Sequence, residues 1–93
     1  MEFEWDEAKS DACFEERGFD FAYAIRVFLD ADRVVEIDER FDYGEARFQV
    51  LGRIDGRVFA VVYTPRASRL RVISARKGNR REIRRYDSSQ AKR

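Results

Sequence analysis

The sequence predicts one small α+β domain, in which two N-terminal helices and a short C-terminal helix group against an antiparallel β-meander. Three observations predict it. Apolar residues recur at helical spacing as far as Leu29 and alternate with period two from Arg33 onward. Asp55-Gly56, set between two β-rich runs, is a two-residue hairpin signal. A length of 93 residues is enough for a single core and too short for two.

Phe3-Glu4-Trp5 alternates apolar and charged residues and reads as a short edge strand. Asp6 is an N-cap for a helix from Glu7 to about Arg17, stopped by Gly18. Its apolar positions, Ala8, Ala12 and Cys13, are small, so this helix packs close or stays marginal. Asp20 caps a second helix, with Phe19 placed to staple onto Ala24. Phe21, Ala24, Ile25, Phe28 and Leu29 form its core stripe, and Asp30-Ala31-Asp32 ends it.

Strands are expected at Arg33–Asp38, Glu45–Arg53, Val58–Tyr63 and Arg69–Lys77, with a polar loop over Glu39–Gly44 and a turn over Pro65–Ser68. Val58–Tyr63 (VFAVVY) is apolar on both faces and is expected at the centre of the sheet. Asn79, with Glu82 three residues on, starts the last helix as a capping box. The domain is expected to span 1–87, with a frayed tail over 88–93.

Charge divides the chain in two. From Arg66 to Arg93 there are eleven Lys/Arg against two Asp/Glu, +9, whereas residues 1–65 hold eight basic and sixteen acidic residues, −8. The basic segment centres on RLRVISARKGNRREIRRY, Arg69–Tyr86. No run approaches the roughly 20 apolar residues of a membrane span. The N-terminus is acidic where a signal peptide is basic, and a lone Cys13 excludes an internal disulfide. These features predict a cytoplasmic protein with no membrane association.

The chain has no histidine, which removes the usual general base at neutral pH and the commonest zinc ligand. Catalysis, if any, falls to Arg, Lys, Glu, Asp, Tyr or Ser. No metal-ligand spacing and no glycine-rich phosphate loop is present, so no metal and no cofactor is expected. Strict alternation places Leu70, Val72, Ser74 and Arg76 on one face, and Arg69, Arg71, Ile73, Ala75 and Lys77 on the other. Arg47, Gln49, Leu51 and Arg53 share a face of a neighbouring strand. Arginines on adjacent strands beside an Arg-rich helix suit phosphate, which guanidinium binds bidentately. Tyr63 and Tyr86 are candidates for stacking on unpaired bases. The competing reading is a solvated basic face that pairs with the acidic N-terminal half. Glu82 has three candidate roles: cap, ion-pair partner or catalytic carboxylate.

Taken in order, several motifs resemble the BrnT family, ribonuclease toxins of type II toxin–antitoxin modules with a RelE-like fold. Trp5-Asp6 with Lys9 is similar to the family's opening Trp-Asp-x-x-Lys. Phe21, Ala24 and Val27 or Phe28 match its Phe-x-x-Ala-x-x-Phe helix. Glu45, Arg47 and Phe48, followed by Gly52-Arg53, match its Glu-x-Arg-Phe strand. Ile73–Lys77, Arg81-Glu82 and Tyr86 match its most specific element. Where the family carries Asn-x-x-x-His-Gly, this chain reads Cys13, Arg17 and Gly18.

The resemblance implies an endoribonuclease that inhibits translation, by metal-independent attack of a ribose 2′-hydroxyl on the adjacent phosphate. Arg53, Arg76 and Arg81 are then the phosphate ligands, with Lys9, Arg17 and Glu45 as candidates for proton transfer or orientation. Arg47, Arg71, Tyr63, Lys77 and Tyr86 are implied RNA contacts. The implied partners are RNA, free or ribosome-associated, and a BrnA-like ribbon-helix-helix antitoxin, assembled as a dimer of heterodimers that meets DNA only through the antitoxin. Two rival readings stand beside it: a catalytically silent member acting as an antitoxin-binding co-repressor, and an unrelated RNA-binding domain with salt-sensitive binding.

Overall fold

The structure is a computed structural model, and it describes residues 1–39 and 44–91. Strand β1 (Glu2–Trp5) leads into helix α1 (Glu7–Arg17). Helix α2 (Phe21–Ala24) continues as a 3-10 turn (Ile25–Leu29). Strands β2 (Val34–Ile37), β3 (Phe48–Ile54), β4 (Arg57–Arg66) and β5 (Arg69–Lys77) follow, and helix α3 (Arg80–Ala91) closes the order. Most of the expected Glu39–Gly44 loop lies outside the described residues.

The five strands form one sheet in the order β1-β5-β4-β3-β2, with β4 at its centre as expected. The pairs from β2 to β5 are antiparallel, but β1 runs parallel to β5. The sheet is therefore mixed and is not purely an antiparallel meander. Reading neighbours along the chain does not reveal this pairing, which joins the two ends of the sequence. Its trace is charge: Glu2 and Glu4 lie opposite Arg69 and Arg71.

Local signals set most element ends. The Asp6 carboxylate accepts from the Ala8 N–H at 2.9 Å, and Gly18 closes α1 at φ 85°. Asp55 and Gly56, at φ 49° and 82°, make the tight β3–β4 turn with both residues left-handed. Within α1, Ser10 and Cys13 are buried while Ala8 and Ala12 are exposed, contrary to the expected small-residue face. The Ser10 hydroxyl explains it, since it accepts from the Phe21 N–H at 3.0 Å and so ties α1 to α2.

The α2 stripe also ends differently from the expectation. Tightening to 3-10 geometry rotates Leu29 out of the core to 83 % exposure and buries Val27 completely. The tight turn seats Val27 directly on Gly52 of β3, where an added Cβ would stand 2.8 Å from both the Val27 Cβ and its carbonyl oxygen. Only glycine admits this approach.

Each sheet face carries its own core. On one side α1, α2 and the 3-10 turn cover an aromatic layer. Its contacts include Phe19–Phe59 at 5.0 Å, Phe28–Tyr63 at 5.2 Å and Phe48–Tyr63 at 5.7 Å between ring centroids. Each such pair contributes about 0.5–1.5 kcal/mol beyond its buried area. On the other side α3 covers a smaller cluster of Leu51, Val58, Ala60 and Tyr86, flanked by Val34 and Ile83. This helix runs to Ala91, past the Ser88 where fraying is expected, and the Gln90 amide donates to the Asp32 carbonyl at 3.0 Å.

Candidate functional site

Helix α3 covers one end of its sheet face, and the remainder of that face is charged. A β-bulge decides which side chains reach it. The β4–β5 register pairs Val62 with Ser74 but Tyr63 with Val72, which leaves Ile73 as the extra residue. Alternation therefore changes phase at Ile73, and the strict two-face split expected from the sequence does not hold. Leu70, Val72 and Ala75 pack toward the aromatic core. Arg71, Ser74 and Arg76, opposite Thr64, Val62 and Ala60, share the α3 side instead. Arg71 and Arg76, assigned to opposite faces by simple alternation, thus lie on one.

Beside the start of α3 this face holds a groove of about 290 Å³, lined by Arg76, Arg81, Arg85, Gln49, Asn79 and Glu82, with Glu36–Glu39 on its β2 rim. Glu82 is its fixed point. Its carboxylate accepts from Arg76 Nη1 at 2.7 Å and Nη2 at 2.8 Å, from the Asn79 N–H at 2.9 Å and from Gln49 Nε2 at 3.2 Å. In return its own N–H donates to Asn79 Oδ1 at 2.8 Å, which completes the expected capping box. Glu82 is only 4 % exposed. The bidentate Arg76 guanidinium, followed by the Asn79 and Gln49 hydrogen bonds, outweighs burial and holds its carboxyl below the usual glutamate value. It is both cap and ion-pair partner, and it stays ionised.

Arg85 donates to Glu36 at 2.9 Å across the groove. Arg81, exposed in the first turn of α3, forms no ion pair with the described residues. Further along the same face the arginines meet carboxylates of the acidic half of the sequence. Arg71 pairs with Glu4 at 2.9 Å, Arg69 with Glu2 at 3.1 Å, and Arg66 and Arg47 with Glu45 at 3.4 and 3.6 Å. These pairs are solvent-accessible, worth about 0–1 kcal/mol each, and an incoming phosphate can exchange for the carboxylate.

A model of the BrnT toxin family, ribonuclease toxins of type II toxin–antitoxin systems, matches residues 5–82. The chain belongs to the BrnT family. A comparison with curated proteins gives no match. Within this BrnT chain the residues proposed from sequence fall into three places. Arg76, Arg81, Arg71, Arg47 and Glu45 stand on the α3 side of the sheet. Lys9 and Arg17 line a 170 Å³ hollow between α1 and β5, together with Cys13 and Ser74. Arg17 also reaches a 310 Å³ hollow with Lys77, Phe19 and Phe59. Lys9, Arg17 and Lys77 therefore do not line the Arg76–Arg81 groove.

Arg53 occupies the third place, a 340 Å³ hollow beside Asp30, Asp55 and Tyr86. Its guanidinium lies 5.1 Å above the Tyr86 ring and 3.5 Å from Asp87. Neither tyrosine presents a ring face for base stacking. Tyr63 is packed between Phe28 and Phe48, and Tyr86 is 2 % exposed on the buried face of α3.

Sequence reasoning missed Gln49, Glu36 and Arg85, which have no motif of their own: Glu36 and Gln49 enter the groove through β2–β3 register, and Arg85 through the packing of α3 against β2. It also missed Asp30, read as a helix end. One Asp30 oxygen accepts from Tyr86 Oη at 2.6 Å and from the Arg53 N–H at 2.7 Å, and the other from the Asp32 N–H at 2.8 Å. Burial pushes this carboxyl up, but those hydrogen bonds together pull it below the usual aspartate value. Burial and the same Asp30 contact push the Tyr86 hydroxyl up to about 12.

Proposed function

We propose that this chain is the toxin of a type II pair and acts in the cytoplasm as an endoribonuclease that stops translation. The carrying observation is the groove at the start of α3, where the ion-paired Arg76 and Arg81, which forms no ion pair among the described residues, line one hollow at a helix N-terminus. In the proposed reaction the ribose 2′-oxygen bonds to phosphorus and the bond from phosphorus to the 5′-oxygen breaks. A 2′,3′-cyclic phosphate and a 5′-hydroxyl result, with no metal required. Arg76, oriented by Glu82, and Arg81 stabilise the charge that develops on the phosphoryl oxygens. Arg47 and Arg71 hold the RNA strand along the same face, exchanging their carboxylates for phosphates.

Glu82 is not the base in this scheme, because it is buried, both its oxygens are engaged by donors, and its lowered pKa makes it a weak proton acceptor. Among the proton-transfer candidates Glu45 favours itself by contacting Arg47 and Arg66 of that face. Lys9 and Arg17 are placed to touch RNA beyond the edge of β5. Arginine stays charged at neutral pH, so Arg17 does not replace the family histidine as a base. The partner is a BrnA-like ribbon-helix-helix antitoxin in a dimer of heterodimers, through which alone the complex meets DNA.

The test incubates the purified chain with RNA, and separately with translating ribosomes, in the presence of EDTA. Cleavage leaving cyclic phosphate ends is expected, and Arg81→Ala lowers the rate by about 10²-fold with its melting temperature unchanged. Intact RNA in both arms rejects the enzyme. A second reading, a silent member acting as antitoxin-binding co-repressor, is favoured by the carboxylates already seated on Arg66, Arg69, Arg71 and Arg85. Induction without antitoxin separates the two: a toxin arrests growth and a silent partner does not.

A further inference from the structure

Among the described residues strand β2 is an edge strand, with β3 on one side and no strand of the sheet on the other. The Asp38 N–H donates to the Arg47 carbonyl at 2.8 Å, which fixes the hydrogen-bonding phase of the β2–β3 ladder. With the register Val34↔Leu51 to Ile37↔Phe48, Val34 and Glu36 turn their backbone groups toward β3. Val35 and Ile37 therefore turn theirs outward, and neither forms a backbone hydrogen bond across the outer edge among the described residues. The same two residues carry exposed apolar side chains, 47 % and 64 % accessible. Outward amides and outward apolar groups coincide on one short strand, the combination that proteins otherwise avoid at a sheet edge.

We infer that β2 is the docking edge for the antitoxin, which adds an extended segment as a sixth strand. This rests on the family reading, since a type II toxin implies an antitoxin partner. Charge selects the occupant. Residues Asp30–Glu39 carry five carboxylates and one arginine, −4. A second copy pairing edge to edge would bring two such stretches together, whereas a segment with lysines or arginines flanking apolar residues complements one. About four residues, roughly 13 Å of extended chain, cover Val34–Ile37. The added strand donates to and accepts from Val35 and Ile37, and its apolar side chains pair with theirs. Because Glu36–Glu39 also rim the Arg76–Arg81 groove, the docked segment lies along the mouth of that groove.

The experiment uses the full chain and the antitoxin encoded with it, purified as a complex and separately. Amide hydrogen exchange is expected to show Val35 and Ile37 unprotected in the free chain and slowed at least tenfold in the complex. Val35→Pro removes an outward N–H without touching the β2–β3 ladder, and Val35→Lys sets a cation against the basic segment. Each is expected to weaken antitoxin binding by at least about tenfold, with the free chain melting close to wild type. A wild-type complex that leaves both amides unprotected, or that Val35→Lys does not weaken, overturns the docking edge and spares the family reading. Failure of the wild-type chain to bind the antitoxin at all overturns both. Protection that appears without antitoxin and scales with concentration assigns the edge to a second copy and also overturns the proposal.

Discussion

Replacing Glu82 by alanine removes four accepted hydrogen bonds at once, two from Arg76 and one each from Asn79 and Gln49. Breaking a fully buried, bidentate ion pair costs about 3–5 kcal/mol. Glu82 is that buried, but the Arg76 side chain is 34 % exposed and regains water, so its share falls to about 2 kcal/mol. Loss of the N-terminal cap of α3 adds about 1 kcal/mol. The sum, about 3 kcal/mol, lowers the melting temperature of a domain this size by roughly 15 °C. Glu82→Gln keeps an oxygen for the Asn79 N–H but turns an amide group against the guanidinium, and is expected to cost about 2 kcal/mol.

Urea unfolding at pH 7 and along a pH series measures both variants. The folded carboxyl of Glu82 titrates below its ordinary value of 4.5, so its contribution is present above that pH and fades as pH falls through the lower folded value. Glu82→Gln therefore flattens the acid limb in part, and Asp30, also depressed, supplies what remains. Wild-type stability for Glu82→Gln at pH 7, or an unchanged slope between about pH 5 and 3, refutes the reasoning.

Tyr86→Phe deletes the 2.6 Å donation to Asp30 and is expected to cost about 1–2 kcal/mol at pH 7. Because the folded hydroxyl titrates near 12 rather than 10, its contribution is complete below 10 and drains away between 10 and 12, so the variant should lose less stability than wild type over that range. Gly52→Ala pushes a methyl group into the Val27 backbone and should destabilise by at least about 2 kcal/mol, read as a lower urea midpoint. Arg71→Ala breaks only the half-exposed pair with Glu4 and should change stability by under about 0.5 kcal/mol, while lowering RNA affinity and the slope of its salt dependence by about one ion.

Features set by near neighbours in the chain were legible from sequence. The caps at Asp6, Asp20 and Asn79, the Asp55-Gly56 turn and the central position of Val58–Tyr63 needed only local rules. What escaped was non-local. The parallel β1–β5 pairing joins residues 67 apart, and the Asp30–Tyr86 contact spans 56. The candidate site was legible in composition but not in grouping. Arg76, Arg81 and Glu82 belong to one groove, whereas Lys9 and Arg17 sit at the far edge of β5, because a contact between α1 and β5 has no counterpart in residue spacing. The burial of Tyr63 and Tyr86 has a simpler reason: an aromatic residue in a strand or helix of so small a domain is claimed first by the core.

Ile73 has a consequence for how the basic segment can change by insertion or deletion. It works as a half-step in an otherwise two-stroke pattern, keeping Arg69 and Arg71 in phase with Arg76 although an odd number of steps leads from Arg71 to Arg76. Deleting it would leave both faces as they are, because Val72 would then join Ser74 directly opposite Tyr63 and Val62, with Arg71 four positions before Arg76. Loss of a second residue would force a choice: either Arg69 and Arg71 swing into the aromatic layer while Leu70 and Val72 come out, or Arg76 leaves Glu82 and α3 loses its anchor. The strand thus carries one spare residue between Val72 and Ser74, and the two faces of the sheet together limit any further change in its length.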